Sequence, residues 1–381
     1  MTLSVSESGV SAEVVAAVDV NTIANEVYRH NFPDTPLWAK SIEGISLKEL
    51  DSLSFDMILM SPPCQPFTRI GLQGDVSDPR TKSFLYVLEI LPRLQKTPGY
   101  ILLENVKGFE SSEARNKMIR TLEDCGYIYQ EFLLSPPCLG VPNSRLRYFL
   151  IAKLRMQPFS FQTSNTILEV FPCSDTSGRG ASSRARSLGG TLQVTADPRR
   201  PVRPAQGGDG AYLYKLETAE QLERKRLQDS DSSVQTLQDF LEEKVEISRY
   251  LLPPKSLIRY AWILDIVTPT CRRSTCFTKG YGHYVEGTGS ILQAAADVEM
   301  SSVYNSLETL SDEEKLAALS TLKLRYFTPR EIANLHGFPS VFGFPDKITT
   351  KQQYRLLGNS LNVRIVAKLI ALLLQPPQNA T

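Results

Sequence analysis

The chain has 381 residues, 42% of them hydrophobic, with a formal charge of +1 and six scattered cysteines. This length supports one large core or two moderate ones, while the near-neutral balance excludes a global basic field and leaves only local patches for polyanion binding. The cysteine pattern excludes a small disulfide-framed secreted fold, no apolar run approaches the roughly 20 residues that span a bilayer, and no basic segment precedes an apolar core at the N-terminus.

A chain of the cytoplasm is therefore expected, with the nucleus as second compartment, no membrane and reduced thiols. Val14 to Val18 is an apolar, β-branched strand candidate followed by Asp19, and Asn21 to Asn31 reads as a helix. Phe55 to Met60 is the next strand, and it runs into Ser61-Pro62-Pro63-Cys64-Gln65-Pro66-Phe67. Prolines fix φ and remove donors, so the chain must leave the sheet sharply and hold the Cys64 thiol on a stiff turn. In open α/β sheets the C-terminal ends of strands are where ligands bind.

Phe84 to Gln95 has helical periodicity. Tyr100 to Leu103 is a strand ended by Glu104-Asn105-Val106. Asn116 to Cys125 is a helix stopped by Gly126, and Tyr129 to Leu134 and Arg147 to Ala152 are two further strands. The alternation predicts an α/β fold with a mostly parallel sheet covered by helices on both faces.

The composition changes after Lys153. Residues 173–210 are rich in Ser, Gly, Arg and Pro, too poor in apolar anchors to offset their ordering entropy, and read as a disordered insertion. Residues 211–267 look helical, best over Gln235 to Leu241 and Pro254 to Val267. Cys271 to Ser290 looks like loops and short strands. Thr328-Pro329-Arg330-Glu331 reads as a helix start, and Lys351 to Leu374 passes through Gly358-Asn359-Ser360 into an apolar helix.

Cys64 and Glu104 lie beyond strands expected to be neighbours, so a thiol and a carboxyl would face one cleft. Arg145 and Arg147 enter a later strand on one face. Their guanidiniums suit an anionic, carbonyl-bearing substrate and would favour a thiolate. Each feature alone has a structural explanation; their combination in this order is more specific. Cys271, Cys276 and His283 lack a further ligand nearby, so no metal site is expected. A cysteine hydrolase would want a histidine base, and no motif pairs His30, His283 or His336 with Cys64.

Pro63-Cys64-Gln65, Glu104-Asn105-Val106, Arg145-Leu146-Arg147, Phe327-Thr328-Pro329-Arg330-Glu331 and Gly358-Asn359-Ser360 together resemble the ordered motif set of cytosine-5 methyltransferases. Cys276-Phe277-Thr278-Lys279-Gly280-Tyr281-Gly282 is similar to the signature of the tRNA-aspartate branch. The resemblance implies a Rossmann-like methyltransferase sheet with a smaller target-recognition domain. It divides the chain into a catalytic part (1–153), a linker (154–215), a target-recognition region (216–322), a return to the catalytic part (323–375) and a tail (376–381). It implies S-adenosylmethionine as cofactor, cytosine 38 of tRNA-Asp as target, and a monomer. Cys64 would attack C6 of the base, Glu104 would engage N3, and Arg145 and Arg147 would hold the base. Arg272, Arg273, Lys279 and Tyr281 would be RNA contacts.

The cofactor half departs from the family pattern. Asp19 suits the ribose-binding acid, with Ile42, Glu43, Asn359 and Ser360 as further cofactor contacts. The strand and glycine turn that should precede Asp19 have no counterpart in residues 1–18, where Gly9 is the only glycine. Residues Thr2 to Ser8 would instead be the first helix. The expectation is an N-terminally truncated chain with weakened cofactor binding. Two alternatives stay open: a DNA cytosine-5 methyltransferase and a catalytically dead RNA-binding form.

Overall fold

The computed structural model describes residues 1–67, 74–172 and 219–376. The expected disordered stretch at 173–210 lies outside the described residues.

In chain order the first part of the chain contains α1 (Thr2–Glu7), β1 (Ala17–Val18), α2 (Thr22–Asn31), β2 (Leu37–Trp38), α3 (Leu47–Leu53), β3 (Met57–Met60), α4 (Lys82–Ile90), β4 (Tyr100–Val106), α5 (Glu113–Asp124), β5 (Tyr127–Leu134) and β6 (Arg147–Leu154). The helix starts follow local chemistry. Asn21 caps α2 by accepting from the Ile23 and Ala24 amides. Ser46 and Glu49 form a reciprocal capping box on α3, which satisfies otherwise orphaned amides. The helix expected over Phe84 to Gln95 stops at Ile90, because Pro92 lies in the 3₁₀ turn that follows.

The main sheet has the order β3-β4-β6-β5. Only β3 and β4 pair in parallel in it, in the register Met57↔Tyr100 to Met60↔Leu103. β6 runs antiparallel to both β4 and β5. β3, β4 and β5 thus point one way, with α5 crossing from β4 to β5, and β6 alone is reversed because its connection from β5 carries no crossover helix, so the sheet is mixed. β1 and β2 form a separate parallel pair, Ala17↔Leu37 and Val18↔Trp38.

Alternate side chains of the main sheet feed two apolar layers. Ile101, Leu103, Tyr148, Leu150 and Ala152 pack against α3, α4 and α5. Leu102, Phe132, Phe149 and Ile151 pack against Val5 of α1 and the last helix of the chain. The result is a three-layer α/β arrangement.

The second half contains α6 (Ala219–Asp229), α7 (Pro254–Tyr260), β7 (Ile266–Val267), β8 (Ile291–Gln293), α8 (Met300–Ser306), α9 (Asp312–Thr321), β9 (Leu324–Arg325), α10 (Pro329–Leu335), α11 (Thr350–Asn359) and α12 (Val363–Leu374). Ile266 and Val267, expected to end a helix, instead begin a small sheet ordered β7-β8-β9. Its core gathers Leu257, Phe277, Tyr281, Leu292, Phe327 and Tyr354. α11 and α12 are apolar and long enough together to cross a membrane by composition. The chain nevertheless breaks at Ser360, and Val363, Val366, Leu369 and Ile370 are buried against the main sheet.

Candidate active site

β3 ends at Met60, and Cys64 follows on a turn whose 3₁₀ continuation brings the Phe67 amide to the Cys64 carbonyl at 3.0 Å. Cys64 is partly exposed. The turn is tied to the neighbouring strand, because buried Asn105 donates from Nδ2 to the Pro62 carbonyl at 3.4 Å and accepts from the Val106 amide at 2.8 Å. The expected neighbour relation between the Cys64 and Glu104 strands is thus present as the β3–β4 pair.

Glu104 lies within β4 rather than beyond it. It stands opposite Phe149, so Arg147, two residues earlier on β6, is its diagonal neighbour on the same face. The Arg147 Nε lies 3.6 Å from Glu104 Oε1, with side chains 18% and 12% exposed. Burial pushes the Glu104 carboxyl above the usual carboxylate range, and the Arg147 and Arg145 guanidiniums only partly oppose this. The group is thereby suited to hold a proton and donate it.

Arg145 is buried, and its guanidinium is spent on the protein. Nη1 donates to the Phe277 carbonyl at 3.0 Å and to Cys276 Sγ at 3.3 Å, and Nη2 donates to the Gly358 carbonyl at 3.1 Å and to the Ser360 carbonyl. It joins the loop at Cys276 and Phe277 to the end of α11 and is a positioning residue. Of the two arginines expected to hold a base, Arg147 is the one that stands beside Glu104.

Sequence reasoning missed Cys276 as part of this centre. Its thiol also lies 3.8 Å from Arg147 Nη2. Burial opposes its ionisation, yet the Arg145 and Arg147 guanidiniums outweigh that and hold it below the ordinary thiol range. Arg80 was missed as well. It forms a two-point pair with Asp78, at 2.8 and 2.5 Å, within electrostatic reach of Cys64. A cation downstream of the Pro-Pro-Cys turn was the available signal for Arg80. For Cys276 the signal was the signature motif it opens, although the 131 residues between it and Arg145 hid their contact.

The proposed cofactor residues fall into two groups. Asp19 follows β1, exposed, and accepts from the Asn21 amide at 2.7 Å; Val20 beside it presents an apolar side chain that is 64% exposed. Ile42 and Glu43 form a 3₁₀ turn after the parallel neighbour β2. Hydrogen bonds from its own backbone and from Ser83, the latter at 2.8 Å, hold the Glu43 carboxyl below its ordinary range. Carboxylates for ribose hydroxyls and an exposed apolar side chain for a purine, at the C-terminal ends of adjacent parallel strands, fit a nucleoside-bearing cofactor.

Asn359 and Ser360 are elsewhere, at the end of α11. Asn359 is exposed, and Ser360 Oγ lies 3.1 Å from Nδ1 of buried His336. Burial, reinforced by the two arginines, keeps His336 neutral by holding it well below its usual range.

Two of the expected RNA contacts are withdrawn by the structure. Arg273 is 5% exposed and paired with Asp229 and Asp265, both at 3.1 Å. Tyr281 is 2% exposed; its hydroxyl donates to the Ser290 carbonyl at 2.7 Å and accepts from the Phe327 amide at 2.9 Å. Arg272 is half-buried and donates to the Val234 carbonyl. Lys279 is exposed. Its loop lies on α11 because Gly358 has no side chain: a Cβ there would stand 2.2 Å from the Lys279 amide nitrogen. Among the described residues no group of three or more His, Cys, Asp or Glu is placed to hold a metal ion.

The family model for C-5 cytosine-specific DNA methylases matches residues 1–375. The chain is 61% identical over 375 residues to a tRNA (cytosine(38)-C(5))-methyltransferase of Homo sapiens, covering 96% of this chain and 94% of that one. It is 36% identical to a DNA (cytosine-5)-methyltransferase of Dictyostelium discoideum, over 97% of this chain and 90% of the other. The crystal structure of a Spodoptera frugiperda DNMT2 mutant superposes with a TM-score of 0.76 at 37% identity, covering 98% of this chain and 96% of that one.

Proposed function

This chain belongs to the C-5 cytosine-specific DNA methylase family, and we propose that it methylates C5 of a cytosine in tRNA, at cytosine 38 in the anticodon loop of tRNA-Asp. The observation that carries the chemistry is the placement of Cys64 and Glu104 after and within adjacent parallel strands, with Arg147 3.6 Å from the carboxyl.

Cytosine C5 is a poor nucleophile until something adds at C6. The Cys64 thiolate supplies the electron pair for an S–C6 bond. Glu104, whose hold on a proton is strengthened by burial, would deliver that proton to N3 as the ring takes up the charge. The ring is then enamine-like, with electron density at C5. Asp19, Ile42 and Glu43, at the ends of β1 and β2, would hold S-adenosylmethionine, which when bound would supply an electrophilic methyl group. The C5 proton passes to water, the C6–S bond breaks with its electron pair leaving as the Cys64 thiolate, and the N3 proton returns to Glu104, which restores the aromatic ring. Arg147 keeps the carboxyl aimed at the base, and Arg145 fixes the loop that faces it.

A stacked base cannot reach a thiol, so the target must be unstacked. Loop bases of RNA meet that condition at low cost. The 61% identity to the human tRNA enzyme supports tRNA over DNA; the Dictyostelium relative keeps DNA as the second reading. Incubation with tritiated S-adenosylmethionine and either tRNA or duplex DNA separates them. Label in tRNA that disappears in Cys64→Ala supports the proposal. Label in DNA alone, or persistent label in Cys64→Ala, refutes it.

A further inference from the structure

The loop from Thr278 to Thr288 leaves the reaction centre and returns to it. Its base is closed by the Thr278 amide, which donates to the Thr288 carbonyl at 2.9 Å, two residues beyond Cys276. Its inner side is filled by Tyr281, stacked edge-on against Phe277 and Tyr354 at 4.9 and 5.2 Å between centroids. One large aromatic side chain of the lobe points the other way: Tyr284 is 64% exposed.

A single exposed tyrosine is ordinary on a protein surface. This one is pinned. Its amide donates to the Gly280 carbonyl at 2.9 Å, and its carbonyl accepts from Thr288 Oγ1 at 2.7 Å. Its ring lies over Gly280, where a Cβ would come within 3.1 Å of Cδ2. His283 packs edge-on to it, with centroids 4.6 Å apart. The exposed Lys279 is the residue before Gly280. A rigid aromatic surface loses little side-chain freedom on binding, which favours its use as a contact.

Drawing a cytosine out of a loop removes the stacking partner of the nucleotide beside it. An exposed aromatic face on the loop that follows Cys276 can replace that partner for any base, because every base has a π-face. We propose, resting on the tRNA reading above, that the Tyr284 ring is the stacking platform for the nucleotide flanking the target cytosine in a single-stranded RNA loop.

An RNA stem-loop with one cytosine in its loop and the fluorescent base 2-aminopurine beside it tests this directly. Wild-type protein binds it and quenches the fluorescence. Tyr284→Ala binds on the order of tenfold more weakly, the usual loss for one stacked base, and leaves the fluorescence unquenched. Tyr284→Phe behaves as wild type, because the ring and not the hydroxyl stacks. With an abasic site at the flanking position, wild type and Tyr284→Ala bind alike. Equal binding and quenching by wild type and Tyr284→Ala on the intact hairpin would overturn the platform while leaving the tRNA reading standing. A wild-type protein that ignores the hairpin altogether would overturn both.

Discussion

Arg147 Nε stands 3.6 Å from Glu104 Oε1, a diagonal contact across antiparallel strands. At that distance the pair is not a tight ion pair, and burial prevails: the carboxyl is raised above its usual range despite two nearby guanidiniums. The proton is thus kept to higher pH than on a free glutamate. Turnover that needs protonated Glu104 should fall as pH rises through the raised value. Glu104→Gln should lower kcat by about 10²–10⁴-fold and abolish that alkaline limb, as measured by single-turnover methyl transfer across pH. By linkage, the folding stability Glu104 contributes is complete below the unfolded carboxylate value and is lost as pH rises through the folded one.

Asn105 is the tie between the thiol turn and β4. Asn105→Ala removes the donor to Pro62 and the side-chain acceptor of the part-buried Val106 amide, a cost toward the lower end of the about 1–3 kcal/mol of a buried unsatisfied group. Asn105→Asp keeps the Val106 bond but turns a carboxylate oxygen toward the Pro62 carbonyl. Both variants should lower kcat with little change in the KM for tRNA, because the turn is loosened and the RNA surface is not. A change confined to KM would contradict this role.

Cys276 shares the field of Arg145 and Arg147 with Glu104. Once ionised, its thiolate offsets part of that field. In Cys276→Ser the side chain no longer ionises, so the guanidiniums act more strongly on Glu104 and lower its pKa. The alkaline limb of kcat should therefore move to lower pH. An effect through packing alone would change the rate and leave the limb in place.

The chain-order reading recovered the thiol turn, the β3–β4 adjacency and the capped start of α10, because prolines, apolar runs and a Thr-x-x-Glu box act locally. It failed where partners are distant. Arg273 and Tyr281 look like an exposed basic and aromatic pair in a Gly-rich loop, yet Asp265 and the Phe327 amide draw them inside. Val14 to Val18 is β-branched, yet only Ala17 and Val18 find a ladder partner in β2. Such outcomes are set by which strand or carboxylate folding brings alongside.

Arg325 and Glu331 form a buried two-point pair, at 2.8 and 2.7 Å, that ties β9 to α10. Glu331 also accepts from the Thr328 amide at 2.8 Å and from the Glu242 amide at 3.3 Å. Removing one partner leaves the other charge buried and unpaired, which costs about 3–5 kcal/mol. Arg325→Met and Glu331→Ala should each lower the urea midpoint by a corresponding amount. Combining Arg325→Met with Glu331→Leu removes both charges and should recover much of the loss. The recovery should stop short of wild type, since the Thr328 and Glu242 amides still lack their acceptor. The Phe327 amide that donates to Tyr281 is two residues from Arg325. The single variants should therefore also loosen the 278–288 loop, seen as faster amide exchange at Tyr281 and Thr288, while amides of β4 and β6 keep their protection. Uniform loss of protection across β4 and β6 would show instead that the pair supports the whole fold rather than the 278–288 loop.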